Sequence, residues 1–151
     1  MQPKLKITGQ KELFRALSKF GEEAESLVDR ATKSAATRIA DDAKNAAPRD
    51  LNLGEKWRET NIPQGINVAK ESHLFYTVNV QDVPIAAYFE FGTGAYIDIP
   101  PEWAHIAWEF YKNGKGTIKP KAFFYPAYTR GKVIYETQLK ALLENLTKKA
   151  L

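Results

Sequence analysis

The sequence contains no cysteine, only two histidines and a single methionine. Without cysteine the chain has no disulfide, no thiolate metal site and no cysteine nucleophile. Long apolar runs are missing too: no segment approaches the ~20 residues of a membrane-spanning helix, and no signal-peptide core follows the N-terminus. We therefore expect a protein that is made in the cytoplasm and has no membrane segment.

What remains is the composition of an ordinary folded domain, with 151 residues of which 44% are apolar and 26% charged. That length is enough to bury one hydrophobic core, and we expect a single domain over residues 1–151. The net charge is +4, but basic residues are interleaved with acidic ones such as Glu22, Glu23, Asp41 and Asp42. This mixture favours solubility more than DNA binding.

A long N-terminal helix is the strongest periodic signal. Apolar side chains recur at steps of three or four over residues 9–47, which indicates one apolar stripe on a helix. Pro48 ends the pattern, and Gly21 interrupts it at a cost of about 1 kcal/mol relative to alanine, so Gly21 could divide the helix in two. Such a helix would measure about 55 Å, longer than a domain of this size is wide. Part of its stripe could protrude or lie on a neighbour, although an ordinary core-facing helix is the simpler interpretation.

The remaining elements are predicted from β-forming runs, glycines and prolines. They are an exposed loop over 48–61, strands over 62–70 and 74–80, a turn at 92–94, a short helix over 102–111, a strand over 122–127 and a last helix from about 129 to 150. The sheet and the inserted short helix thus occupy about residues 62–127. This order predicts an α+β fold, in which long N- and C-terminal helices pack on a small, mainly antiparallel sheet.

Residue patterns for catalysis or metal binding are weak. Glu102, His105 and Glu109 share one face of the short helix, but a zinc-protease motif needs a second histidine four residues away, so a solvated face is the simpler interpretation. Glu90 and Asp98 could form a carboxylate pair for acid–base catalysis or magnesium binding, yet two acids near a glycine turn are common. We predict no enzyme activity, no metal and no cofactor.

A loose basic stretch with interleaved aromatic residues precedes and enters the last helix. Aromatic faces combined with basic charge occur in proteins that bind single strands, but no recognised nucleic-acid motif is present. A few lysines could still face DNA in a channel and contact phosphate without reading sequence. The candidate DNA-facing residues are Lys112, Lys115, Lys119, Lys121, Arg130 and Lys132.

Three motifs, taken in their order and spacing, carry a resemblance to a known family. They are Asn45-Ala46-Ala47-Pro48 at the end of the long helix, Ala86-Ala87-Tyr88-Phe89-Glu90-Phe91-Gly92-Thr93-Gly94 in the middle of the chain, and Lys119-Pro120-Lys121-Ala122-Phe123-Phe124-Tyr125-Pro126-Ala127 before the last helix. Together they resemble the tail-component family of siphophage neck proteins, which are the tail-completion or head-to-tail joining proteins of long-tailed bacteriophages.

The resemblance implies a structural, non-enzymatic virion protein that joins phage head and tail. Its expected partners are further copies in a ring, roughly sixfold like the tail, the adaptor or stopper proteins, and the tail terminator or tail tube. Passive contact with DNA in the channel is compatible with this role. The expected location is the neck of the virion, after synthesis in the host cytoplasm. The alternatives are a basic DNA-contacting module or another tail protein, such as a tail terminator.

Within this pattern, Gly92 and Gly94 are expected to set a turn that only glycine adopts cheaply, and Glu90 is the candidate contact to a neighbouring subunit. Aromatic residues around Trp103 and over 123–128 are expected to add surface for subunit contacts. The simpler alternative is that all of these are core and turn residues. The motif residues and candidate subunit contacts are Tyr88, Phe89, Glu90, Phe91, Gly92, Thr93, Gly94, Phe123, Phe124, Pro126 and Ala127.

Overall fold

The computed structural model describes residues 15, 17–49, 61–81, 83–107 and 116–150. Its helices and strands, in chain order, are α1 (Glu22–Ala46), β1 (Ile66–Ser72), β2 (Phe75–Val80), α2 (Val83–Phe91), α3 (Ala104–Ala107) and α4 (Phe124–Ala150). Short 3₁₀ turns lie at Pro63–Gly65, Gly94–Tyr96 and Pro101–Trp103. The α+β prediction is confirmed, because two long helices accompany a small antiparallel sheet. No helix among these described ranges is long and apolar enough to cross a bilayer.

The N-terminal helical region is divided at Gly21, as its sequence allowed. Arg15, Leu17 and Ser18 are helical, the chain turns at residues 19–20, and Gly21 adopts a positive φ of 86° that glycine tolerates without a Cβ penalty. The 25-residue α1 then begins at Glu22, with three acidic residues in its first turn that complement the positive end of the helix dipole. It ends at Ala46, shortly before Pro48. Residues 9–14 of the predicted helix and 50–60 of the predicted loop lie outside the described residues.

The two predicted strands form one hairpin. β1 and β2 pair antiparallel with Val68 opposite Val78 and Ile66 opposite Val80, and the register shifts between Lys70 and Ser72. The first strand begins later than predicted, because Pro63–Gly65 forms a 3₁₀ turn. The tight turn is centred on residues 73 and 74.

Asp29 of α1 holds the tip of this hairpin. Its carboxylate accepts hydrogen bonds from Lys70 Nζ (3.1 Å), the Tyr76 hydroxyl (2.9 Å) and the backbone N–H of Leu74 (3.1 Å). Leu74 has a φ of 61°, a left-handed conformation that is costly for a side chain of this size. The bond to its N–H therefore fixes both the strained turn and the orientation of the hairpin on α1.

The main core lies where α1, the hairpin and α4 meet. Alanines and Ile39 of α1 pack there with alternate hairpin residues, including Ile66 and Val78, and with Phe123 of the segment entering α4. Small residues let the backbones approach closely, and Gly131 of α4 lies so near Ile39 that an added Cβ would overlap its Cγ1 atom. A second cluster of Leu17, Val28 and Leu74 receives leucines from the C-terminal half of α4.

Two segments differ from their predicted structure, and a third begins as predicted. Residues 83–91 form helix α2, so the described sheet is confined to residues 66–80. The strand predicted over 122–127 is wrong, because α4 begins at Phe124, five residues before the predicted start. The short helix begins as predicted near Pro101, as a 3₁₀ turn that continues into α3. Residues 108–111 of that predicted helix lie outside the described part of the chain.

The close approach at Gly131 generates a stability prediction. In an unobstructed helix Gly→Ala stabilises by about 1 kcal/mol, but here the new methyl group meets Ile39, so we expect Gly131→Ala to destabilise by about 1–3 kcal/mol. In an Ile39→Ala background the obstruction is gone, and the same change should stabilise. Urea unfolding of the four proteins in this double-mutant cycle measures the coupling. Equal effects in both backgrounds would contradict the packing described.

Asp29 generates a prediction of pH dependence. Burial alone would raise the pKa of Asp29, but the bonds from Lys70, Tyr76 and Leu74 outweigh burial and hold it below its ordinary value. Stability linked to a lowered pKa is present above the ordinary aspartate pKa and lost as the pH falls through the folded-state pKa. The carboxylate is 19% exposed, so we expect Asp29→Asn to cost about 1–3 kcal/mol at pH 7.

The difference in stability between wild type and Asp29→Asn should shrink as the pH falls below the ordinary aspartate range and through the lowered pKa of Asp29. Once protonated, Asp29 carries no charge, like the asparagine of the variant. Urea unfolding at a series of pH values measures this difference. Asp41→Asn, at an exposed site on the same helix, is the matched control and should change stability by less than about 0.5 kcal/mol. A stability difference that stays constant with pH would contradict the lowered pKa assigned to Asp29.

Candidate functional site

Helix α2 ends in a turn that requires glycine. The Gly92 N–H donates to the Tyr88 carbonyl at 2.9 Å, and Gly92 and Gly94 then adopt positive φ values of 78° and 57°. A Cβ on Gly92 would come within 2.6 Å of the Tyr96 carbonyl oxygen, and one on Gly94 would overlap the carbonyl oxygen of Gly116. Both glycines are thus required by conformation and by space, as the sequence predicted.

Backbone bonds fasten this turn to the segment before α4. Thr93 N–H donates to the Ile118 carbonyl at 2.8 Å, and the Thr93 hydroxyl oxygen accepts the Ile118 N–H at the same distance. Lys121 N–H donates to the Phe89 carbonyl at 2.6 Å. The middle and closing motifs, about thirty residues apart in the sequence, therefore meet in one unit, which we name the motif junction (residues 88–98 and 116–127).

The Glu90 carboxylate is the centre of the motif junction. Its Oε2 accepts the N–H groups of Phe123 (2.9 Å) and Phe124 (2.8 Å), and its Oε1 accepts that of Tyr125 (2.8 Å). These donors belong to the N-terminus of α4, where N–H groups have no partner within the helix. The next residue, Pro126, has no N–H and is tolerated in a first turn. Glu90 therefore caps α4 from a different helix.

Glu90 is buried, with 5% of its surface exposed. Burial raises the pKa of this carboxyl above its ordinary range, while the three backbone N–H donors oppose the rise. The negative charge also faces the positive end of the α4 dipole, an arrangement that favours it. All three hydrogen bonds to this carboxylate come from its own chain. The predicted contact of Glu90 with a neighbouring subunit stays a prediction.

An aromatic cluster closes over the capped helix end. The ring of Trp103 lies 6.0 Å from Phe91, 5.8 Å from Phe124 and 5.5 Å from Tyr125, all in edge-to-face geometry. Trp103 is 9% exposed, and Phe124 is also buried. The expectation that Trp103 adds interface surface is wrong for this protomer, because the ring is buried in the core against Phe91 and Phe124.

The other predicted motif residues fall into a buried and a half-buried group. Phe91, Gly92, Thr93, Phe123, Phe124 and Ala127 are buried, whereas Tyr88, Phe89, Gly94 and Pro126 are half-buried. The structure thus brings the two motifs together, but it places most of their side chains inside the protomer. Their role as subunit contacts stays a prediction.

The motif junction exposes apolar side chains in the loop directly after its glycine turn. Tyr96 is 44% exposed and Ile97 is 37% exposed, and Lys119 Nζ lies 5.5 Å from the centre of the Tyr96 ring. Asp98 N–H donates to the Phe91 carbonyl at 2.8 Å, which fixes the far end of this loop. Sequence reasoning missed these two residues, although an apolar pair following a Gly-Thr-Gly turn was a signal for it.

The basic stretch is only partly described. Lys119 and Lys121 lie exposed on the motif junction, and Arg130 and Lys132 are exposed on α4. Lys132 pairs with Glu136 at 3.9 Å. Lys112 and Lys115 lie outside the described residues, so contact of the whole stretch with DNA stays a prediction.

The candidate catalytic and metal residues do not form a site in the described ranges. Glu102 and His105 are exposed, Glu109 lies outside those ranges, and Glu90 is engaged by backbone N–H groups. Asp98 is exposed on the loop beyond the glycine turn. Among the described residues no group of three histidine, aspartate or glutamate side chains could hold a metal ion.

The Glu90 cap generates a prediction. Glutamine keeps one carbonyl oxygen but turns an amide NH₂ towards a backbone donor, so we expect Glu90→Gln to destabilise by about 1–3 kcal/mol and Glu90→Ala by more. Thermal and urea unfolding measure the loss. Glu102→Gln, at an exposed carboxylate beside Tyr125, is the control and should have an effect below about 0.5 kcal/mol. Equal stabilities of Glu90→Gln and wild type would show that the cap is not needed.

Comparison with protein families gives one match. The model of the family described as "Bacteriophage HK97-gp10, putative tail-component" matches residues 11–95. That range contains α1, the hairpin, α2 and the glycine turn, and it ends within the loop that carries Tyr96. Comparisons with curated proteins and with solved structures give no match. Because the family model covers more than half of the chain, this protein belongs to the HK97-gp10-like family of phage tail components.

Proposed function

We propose that this tail component joins head and tail, as a tail-completion ring protein in the virion neck. The family match supports a structural phage tail protein. The observation that carries the finer proposal is the motif junction, in which the family's glycine turn is fastened to the start of α4 and presents Tyr96 and Ile97 to solvent. A joint between two large assemblies needs such a fixed, partly apolar contact surface.

A closed ring of identical copies uses heterologous contacts, in which one surface meets a different surface on the next copy. Tyr96 and Ile97 on the motif junction provide one such surface. Val133 and Ile134, which are 60% and 37% exposed on α4, provide a different one. Neither pair is needed for the core described above, so each can be buried on assembly without unfolding the protomer. This role requires no turnover.

Two alternatives predict different phenotypes. A DNA-contacting module would act through Lys119, Lys121 and the other exposed basic residues, and its affinity would fall steeply with salt. A tail terminator would stop the growth of the tail tube, so its loss should give tails of irregular length. Loss of a joining protein should leave both completed parts intact but separate.

The experiment is electron microscopy of a lysate from a phage or prophage in which this gene alone is deleted. We expect DNA-filled heads and complete tails of normal length that are not joined, with infectivity restored when the gene is supplied in trans. Intact infectious virions would overturn the neck proposal and direct attention to DNA binding. Tails of irregular length would replace it with the terminator alternative.

Complementation with exposed-residue variants tests the carrying observation. Tyr96→Glu combined with Ile97→Glu should leave folding intact, because both side chains are on the surface, and should reduce infectious titre at least about tenfold through lost subunit contact. Glu102→Lys, also exposed and six residues after Tyr96 in the sequence, is the control for a surface charge change and should complement fully. Full complementation by the double variant would remove the motif junction from the contact surface.

A further inference from the structure

The C-terminal half of α4 carries an open groove that the motif junction does not use. Leu139 and Leu143 are only partly buried against the second core cluster, and charged side chains flank them at four-residue spacing. The flanking residues, in order along the helix, are Glu136, Lys140, Glu144 and Lys148. The surface is thus an apolar strip bordered by charges of alternating sign.

Most of these charges have no partner within the described part of the chain. Glu136 has its ion pair with Lys132, on its N-terminal side. Lys140, Glu144 and Lys148 have no ion pair or side-chain hydrogen bond among the described residues. Glu144 and Lys148 are spaced for an i,i+4 pair, yet their charged atoms are not within pairing distance. These three charged side chains are therefore available to form ion pairs with another molecule.

We propose that this face of α4 docks on the same face of a second copy of the chain, antiparallel and related by a two-fold axis that crosses the helix pair at the level of residue 142. Leu142 is the midpoint of the segment from Glu136 to Lys148. Reversing one helix about that point sets Glu136 opposite Lys148 and Lys140 opposite Glu144. A two-fold axis repeats each pair, so all four charges of both copies find a partner of opposite sign.

The same pattern disfavours a parallel two-fold dimer, in which the two helices must be in register. Two parallel copies in register would set lysine opposite lysine and glutamate opposite glutamate at all four positions. If the partner were a different protein, the charges of this segment would not need to be complementary about its midpoint. For a second copy related by a two-fold axis, they must be. The self-complementary order of the charges thus selects both the partner and its direction.

The expected contact is small. The segment from Glu136 to Lys148 is about 20 Å long, and one helix pair of that length buries less than a standard interface. The dimer should therefore be weak, dissociate as concentration falls, and weaken further with salt as the charges are screened. The contact differs from a ring contact, which is heterologous, and it does not rest on the neck proposal. Purified protein is enough to test it.

Sedimentation equilibrium of the full chain in low salt provides the test, with loadings from about 10 µM to 1 mM to span weak affinities. We expect a monomer–dimer equilibrium with a limiting mass twice 17.1 kDa. Lys140→Glu and Glu144→Lys each create two like-charge pairs per dimer, and each should raise the dissociation constant at least about tenfold. Circular dichroism checks that both variants keep their helices.

Mixing the two variants supplies the control for effects within one helix. A heterodimer of Lys140→Glu with Glu144→Lys restores opposite charges at every position, so the mixture should associate about as tightly as wild type. Changes of charge within each helix are identical in the separate and mixed samples and cannot give that rescue. A wild type that stays monomeric over the whole range, an oligomer unaffected by the charge variants, or a mixture no tighter than its components would each overturn the proposal.

Discussion

The cap formed by Glu90 on α4 is the interaction on which the rest of the motif junction depends. Three backbone N–H groups at the start of a 27-residue helix need acceptors, and one carboxylate from α2 supplies them. The cap sets where α4 begins and how α2 meets it. Beside the cap, the glycine turn is hydrogen-bonded to residues 116–121, and Trp103 packs on Phe124 at the start of α4. The carboxylate is tolerated inside the core because three N–H donors and the positive end of the helix dipole stabilise its charge. Loss of the carboxylate would leave these buried N–H groups without a hydrogen-bond acceptor.

At the other end of the chain, Asp29 has a comparable role. It accepts bonds from three groups of the hairpin and so fixes β1 and β2 on α1. Between the two anchors, α1 and α4 cross closely at Ile39 and Gly131, where glycine leaves space for the neighbouring backbone. A two-stranded sheet is too small to be stable alone, so its position depends on α1. Two buried or half-buried carboxylates, each engaged by backbone and side-chain donors, therefore define the geometry of a protomer that has no disulfide or described metal site to hold it.

The sequence was informative where a local pattern decides structure. The period of the apolar residues predicted α1, the β-forming runs predicted the hairpin, and glycine chemistry predicted the break at Gly21 and the turn at Gly92 and Gly94. It was misleading over residues 122–127, where a run of aromatic residues is typical of a strand. That segment becomes helical because Glu90, thirty-three residues earlier in the sequence, caps it, and a long-range contact of this kind leaves no periodic trace. Pro126 was the available local signal, since proline is common in the first turn of a helix. Burial of Trp103 was likewise invisible, because its partners come from α2 and α4.

The division between satisfied and unsatisfied groups also separates what holds the protomer together from what is available for assembly. Most of the family motif residues make their contacts inside the protomer. Glu90 accepts hydrogen bonds from backbone N–H groups, the two glycines lie against neighbouring backbone, and Phe91 and Phe124 pack against Trp103. A family motif of this kind can therefore serve the proposed assembly indirectly, by fixing a surface loop whose own residues are the proposed contacts. The exposed loop at Tyr96 and the charged strip on α4 meet the opposite condition, since their apolar or charged atoms remain available in the folded chain. Subunit contacts that form from such preformed surfaces lose little conformational entropy on docking, so a motif junction fixed by hydrogen bonds within the chain suits the joining role proposed above.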